Sequence, residues 1–165
     1  FRRGHSKNYF SEYFLAAKGE LETRDKGKGE YPTWYAYART QGLNFTGKKL
    51  LTPTFSERPK FIFDNKEESL FCNGYGIYEK NAIQFAFSQN INLKILRKIL
   101  NSKVMEYYIS KTSFTIEGGY PCYQKNFIEL FGIPNFTEKE FDYLEKEVAQ
   151  NKVDSFLVKK YELYL

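Results

Sequence analysis

The sequence has 165 residues, 42% hydrophobic and 27% charged, with a formal net charge of +5. That length suits one ordinary domain with a self-sufficient core, and that balance excludes a wholly disordered chain. No apolar run approaches the roughly 20 residues of a membrane helix, no zinc-type spacing joins Cys72, Cys122 and His5, and no apolar stretch follows the basic start to make a signal peptide; the cysteines read as buried reduced thiols and the chain as cytoplasmic.

The positive charge is one-sided. Residues 1–66 carry 13 Lys/Arg against 7 Asp/Glu, whereas residues 67–165 carry 12 against 13. A basic half favours a polyanion such as nucleic acid, although inert proteins show the same asymmetry. Aromatics reach 19%, with 14 Tyr and 16 Phe. Tyrosine suits a wet binding surface as well as a core, and a codon bias toward Phe, Tyr, Lys and Asn gives the same excess.

Residues 1–8 are polar and basic and read as a linker. In residues 9–21, Tyr9, Phe10, Tyr13, Phe14, Ala17 and Leu21 recur at helical spacing. Gly27 and Gly29 among charges end that helix in a basic turn, which could hold a phosphate or simply face water. Residues 31–43, YPTWYAYARTQGL, hold the only Trp and no acid, a mixture suited to a recognition surface or a folded corner. Trp34 and Tyr35 are expected to anchor it in the core. Candidate strands follow at 34–38, 49–52, 60–63, 70–72, 76–78 and 83–87, with turns at Asn65-Lys66 and Asn73-Gly74, suggesting an antiparallel sheet or small barrel. Residues 93–109 carry a wide apolar stripe and predict one long helix buried on that sheet, with Lys94, Arg97, Lys98 and Lys103 on a solvated side. Residues 112–123, TSFTIEGGYPCY, combine hydroxyls with Gly118-Gly119. A short helix is expected over 124–131. Thr137 and Glu140 form a capping-box pattern opening one tail helix, and Val153, Phe156, Leu157 and Tyr161 line a second. The fold class is therefore α+β: a strand-rich body, a long buried helix and a helical C-terminal tail. The expected segments are 1–20 (linker and N-terminal helix from a preceding domain), 21–135 (recognition body) and 136–165 (tail).

No catalytic pattern emerges. His5 lies in the charged start, and no Gly-x-Ser-x-Gly elbow is present. Asp64, Lys66 and Glu67 imitate part of a metal-nuclease cluster, but they fall in what reads as a hairpin turn. The residues themselves point to a non-catalytic binding module.

The motifs together resemble a known family. Arg24-Asp25-Lys26-Gly27-Lys28, residues 31–43, Lys49-Leu50-Leu51-Thr52-Pro53, Phe71-Cys72-Asn73-Gly74-Tyr75-Gly76-Ile77, Leu100-Asn101-Ser102-Lys103, Thr112-Ser113, Gly118-Gly119-Tyr120, Gln124-Lys125 and Ile133-Pro134 occur in an order similar to the TaqI-like C-terminal specificity domain. Ala38 stands where that family often has Gly. The resemblance implies a target-recognition domain of a bacterial N6-adenine DNA methyltransferase or type IIG restriction-modification enzyme. It implies double-stranded DNA as partner, and a methyltransferase domain of the same polypeptide that binds S-adenosylmethionine, with Mg²⁺ if that parent also cleaves. This sequence has no Asn-Pro-Pro-Tyr motif, so the chain itself is expected to be non-catalytic and free of cofactor.

On that reading Lys26, Lys28, Lys48 and Lys49 are expected on phosphates, flanking Arg39 and Gln41. Arg and Gln can read guanine and adenine edges, but members of the family read different sequences, which favours Arg39 as a backbone contact or scaffold residue. Ser113, Thr115, Gly118, Gly119 and Tyr120 are expected to form a second contacting loop, with Lys125 beyond it. The alternatives are an RNA- or single-strand-binding module with a Tyr-rich stacking surface, and the nuclease built on Asp64.

Overall fold

The computed structural model describes residues 7–38, 45–71, 73–79, 91–116 and 118–165. The chain divides into two compact units, Phe1–Asn44 and Phe45–Leu165.

In the first unit the expected single helix is two: α1 over Lys7–Ala16 and α2 over Lys18–Glu22, followed by a 3₁₀ turn at Arg24–Gly27. None of residues 11–38 is fully buried. The 31–43 stretch is not a strand where it is described. Pro32-Thr33 opens a turn closed by Ala36 N–H donating to Thr33 O at 3.1 Å, and Arg24 takes the Ala36 carbonyl that a sheet ladder would have needed, at 2.7 Å. Tyr35 is 58% exposed and Trp34 half-buried, which corrects the expectation that they anchor a core.

The second unit is built on three antiparallel strands, β1 (Lys49–Thr52), β2 (Ile62–Asp64) and β3 (Tyr75–Tyr78), in the order β2-β1-β3. Leu50 of the central strand faces Phe63 and Ile77. Among the described residues the sheet is open, with three strands where six were expected. Leu70 and Phe71 are not in a strand, and the strand expected at 83–87 lies outside the described residues. Gly74 shows why a glycine follows Asn73: with φ of 86°, a Cβ there would lie 2.3 Å from the Thr52 carbonyl oxygen.

The helical part is α3 (Leu93–Leu100), α4 (Lys103–Thr112), α5 (Lys125–Ile128), α6 (Glu138–Lys146) and α7 (Gln150–Lys160). The long helix expected over 93–109 is broken into α3 and α4 by two polar residues. Ser102 caps α4, accepting from Met105 N–H at 3.4 Å and donating to Ile99 O at 2.6 Å. Asn101 turns its amide onto the Phe61 peptide: Nδ2 donates to Phe61 O and Oδ1 accepts from Phe61 N–H, both at 2.8 Å. Thus α3 is joined to the entry of β2. It packs against β1 and β2 and also against α6 and α7, so it lies between sheet and helical tail. Leu50, Leu96, Ile99, Met105, Leu144, Val153 and Leu157 fill this core.

The tail is integral to the fold. Thr137 and Glu140 form the expected capping box. Lys98, expected in water, instead donates to the Leu144 and Glu145 carbonyls, at 2.5 and 2.9 Å, and so closes the C-terminal end of α6. No helix among the described residues is long and apolar enough to cross a membrane.

Two substitutions test this frame in opposite directions. Asn101→Ala removes both partners of the buried Phe61 peptide and should lower stability by about 2 kcal/mol, read as a lower urea midpoint with unchanged slope. Tyr123 is fully buried and its hydroxyl has no partner among the described residues. Tyr123→Phe should therefore leave the midpoint unchanged or raise it.

Candidate nucleic-acid interface

The two ends of the small sheet differ in chemistry. At one end Thr52 pairs with Tyr75, and Leu51 with Ile62. Here a hairpin, described over residues 113–116 and 118–123, lies beside the sheet. Ile116 N–H donates to Tyr120 O at 3.1 Å and Cys122 N–H to Phe114 O at 3.0 Å. Ser113 Oγ reaches across the stem to Cys122, donating to its carbonyl at 2.9 Å. Gly118 and Gly119 turn the tip with φ of 93° and 80°, conformations that glycine adopts without strain.

The stem is fastened to the chain leaving β1. Phe55 bridges Cys122, Tyr123 N–H donates to Thr54 O at 2.7 Å, and Ser56 N–H to Pro121 O at 3.3 Å. Tyr123 then buries its ring edge-on to Phe61. The base of the hairpin is thus in the core, while Thr115, Ile116 and Tyr120 stand exposed near its tip. A rigid stem with an exposed polar and aromatic tip is suited to contact a macromolecular surface.

At the other end Lys49 pairs with Asp64 and Tyr78. The Lys49 side chain is wholly buried. Its ammonium lies 3.3 Å from Asp64 Oδ2, donates to Ser69 Oγ at 2.8 Å, and reaches the Gly47 and Lys66 carbonyls, each at 3.3 Å. Ser69 Oγ and Lys66 N–H also donate to the Asp64 carboxylate. The Ser69 hydrogen bond, then that of Lys66, holds the Asp64 carboxyl below the usual carboxylate range. Here the turn 65–69 is folded around the buried Lys49 ammonium and its partly exposed partner Asp64.

Two expectations are corrected by that pair. Lys49 is not free to grip a phosphate, because an incoming anion would have to displace Asp64. Asp64 is committed to Ser69, Lys66 and Lys49 and serves the turn, which removes the basis of the nuclease alternative.

In the first unit the corner after α2 is clamped by Arg24. Its guanidinium lies 3.6 Å from the Tyr31 ring centroid while Nη1 holds the Ala36 carbonyl. Tyr31 OH donates to Asp25, and that hydrogen bond raises the phenol pKa. Lys26 and Lys28 are exposed on this turn, with Lys26 at a φ of 58°.

Ser113, Thr115, Gly118, Gly119 and Tyr120 are brought together on the one hairpin, although Ser113 spends its hydroxyl on the stem. Lys125 is exposed on α5 and pairs with Glu129 at 3.8 Å. Lys48 is exposed beside the buried Lys49. Arg39 and Gln41 lie outside the described residues. Missed by the sequence reading is the loop 57–60, carried from Ser56 to Phe61 between the hairpin stem and the Asn101 clamp. Its Pro59 and its isolated Arg58 are the signals that could have found it.

The family model described as the TaqI-like C-terminal specificity domain matches residues 6–133. A search of curated proteins finds no match. The family match supports a DNA-recognition role in a restriction-modification enzyme.

The buried pair separates a structural lysine from a phosphate contact. Lys49→Met should cost about 3 kcal/mol by leaving Asp64 without its cation, and adding Asp64→Asn should recover part of that loss. A Lys49 that gripped DNA would instead weaken binding with the unfolding midpoint unchanged. Because the folded Asp64 value is depressed, its stabilisation is complete above the unfolded carboxylate value and lost as pH falls through the folded one. Asp64→Asn should flatten this acid limb in pH-dependent urea melts.

Proposed function

Because this chain belongs to the TaqI-like C-terminal specificity domain family, we propose that it recognises a duplex DNA sequence on behalf of an N6-adenine DNA methyltransferase. The match across residues 6–133 carries this reading. The physical features that support it are the hairpin 113–123, fastened to the core and exposed at its tip, and the exposed cations of the basic half. Lys26, Lys28, Lys48 and Lys125 supply phosphate contacts, and so does Arg39, while Gln41 sets register beside it. Thr115, Gly118, Gly119 and Tyr120 form the contacting tip, the absence of a glycine side chain allowing close approach of the backbone to the DNA.

The chemistry belongs to a methyltransferase domain of the same polypeptide. That domain binds S-adenosylmethionine and accepts an adenine turned out of the duplex, and Mg²⁺ enters only if the parent also cleaves. This chain contributes affinity, register and sequence choice and no catalytic group. The helical tail, integral to the second unit, supports the recognition elements, and the protein acts in the cytoplasm.

Fluorescence anisotropy of the intact protein tests this reading. Duplex should bind more tightly than single strands of the same sequence, with affinity falling steeply and linearly in log salt. Lys48→Ala and Lys125→Ala should each reduce that slope by about one. A preference for single strands, abolished by replacing the exposed Tyr35 and Tyr37 with Ala, would overturn it in favour of a stacking surface.

A further inference from the structure

We propose that the loop 57–60 is a base-reading element and that Arg58 hydrogen-bonds a guanine edge in the major groove; this rests on the duplex-DNA reading above. Residues 45–165 hold two arginines, Arg58 and Arg97. Arg97 lies on the exposed side of α3, a helix committed to the core. Arg58 is exposed in a loop and has no hydrogen-bond or ion-pair partner among the described residues. Several cations of this unit are committed to the scaffold: Lys49 to Asp64, Lys98 to the end of α6, Lys160 to Glu140 at 2.9 Å. A guanidinium left free in such a unit keeps its two-point donor face available, and that face matches the O6 and N7 acceptors of guanine.

The loop is also held as a reader must be. Only four residues separate two fixed points. Before it, Ser56 N–H is bonded to Pro121 O of the hairpin stem at 3.3 Å. After it, the Phe61 peptide is gripped on both sides by Asn101 at 2.8 Å. Pro59 fixes one more dihedral in between. So short and doubly anchored a loop presents Arg58 with little ordering cost on binding. Ile62, the first residue of β2, pairs with Leu51 near the strand end from which the hairpin stem is reached. Loop 57–60 and the hairpin stem therefore lie at the same end of the sheet, so one duplex can meet both. Phosphate contact by Arg58 is the competing use, and it makes a different prediction.

The test is selection of bound duplexes from a randomised pool by the intact protein, followed by sequencing. The wild type should select a motif containing a G·C pair that Arg58→Ala relaxes by about ten-fold or more at that position alone. Arg58→Gln should shift preference at the same position from guanine to adenine. Arg97→Ala should leave the motif unchanged, and the urea midpoint of every variant should match wild type, since neither side chain is buried. A uniform loss of affinity at all positions with a smaller salt slope would make Arg58 a phosphate contact and overturn the assignment. So would an unchanged motif in Arg58→Ala. A wild type that selects no duplex motif would overturn the duplex reading itself, and the assignment with it.

Discussion

The two hydrogen bonds between the Asn101 carboxamide and the Phe61 peptide are the joint on which the second unit depends. A side-chain amide that both donates to and accepts from one peptide substitutes for a sheet neighbour. It does so at the break between α3 and α4 and at the entry to β2. The interaction therefore sets three things together: where the helical stripe turns, how the helix pair meets the sheet, and where the chain returns after loop 57–60. Phe61 is buried beside Tyr123, which starts on the hairpin and ends in the core. The exposed loops at this end of the sheet inherit their positions from a dry, hydrogen-bonded base.

Charge in the second unit is sorted by task. Lys49 and Asp64 are drawn into the fold, where they shape a turn. Lys98 closes a helix end and Lys160 pairs with the capping glutamate Glu140. Such residues stabilise the scaffold, and their loss would act on DNA only through unfolding. The exposed cations, Lys48, Arg58 and Lys125 among them, lie on short segments next to that scaffold. A recognition domain needs this division, because a buried lysine paired with a carboxylate offers no counterion release, and a floppy arginine pays its ordering entropy at the moment of binding.

Much of this was legible in the residue pattern. The capping box at Thr137 and the apolar faces of Val153 and Leu157 follow from spacing alone and are found in the structure. Strands 49–52 and 76–78 were visible as short apolar runs bounded by turn residues, and both fall in the sheet. The paired glycines mark residues 112–123 as an unusual contacting loop, and the structure shows that its described residues pair as a hairpin. What misled was the use of polar groups at a distance. Asn101 and Ser102 sit inside an unbroken apolar stripe, and periodicity gives no weight to an amide needed 40 residues away at Phe61. Lys49 looked like a surface cation because its partner, Asp64, is known only once β1 and β2 are in register. Trp34–Ala38 reads as a strand because the arginine that takes its carbonyl comes from a helix turn upstream. Arg58 beside Pro59 is a signal that periodicity does not weigh, because it belongs to no repeating pattern.

On the proposed function, duplex DNA meets the sheet end that bears loop 57–60 and the hairpin stem. Hydrogen–deuterium exchange of the intact protein, with and without a bound duplex, tests that claim most directly. The account predicts slower exchange in peptides covering 54–60 and 114–120, with α6 and α7 unchanged because they lie across α3 from the sheet. Protection confined to α6 and α7, with both loops exchanging as in the free protein, would contradict it.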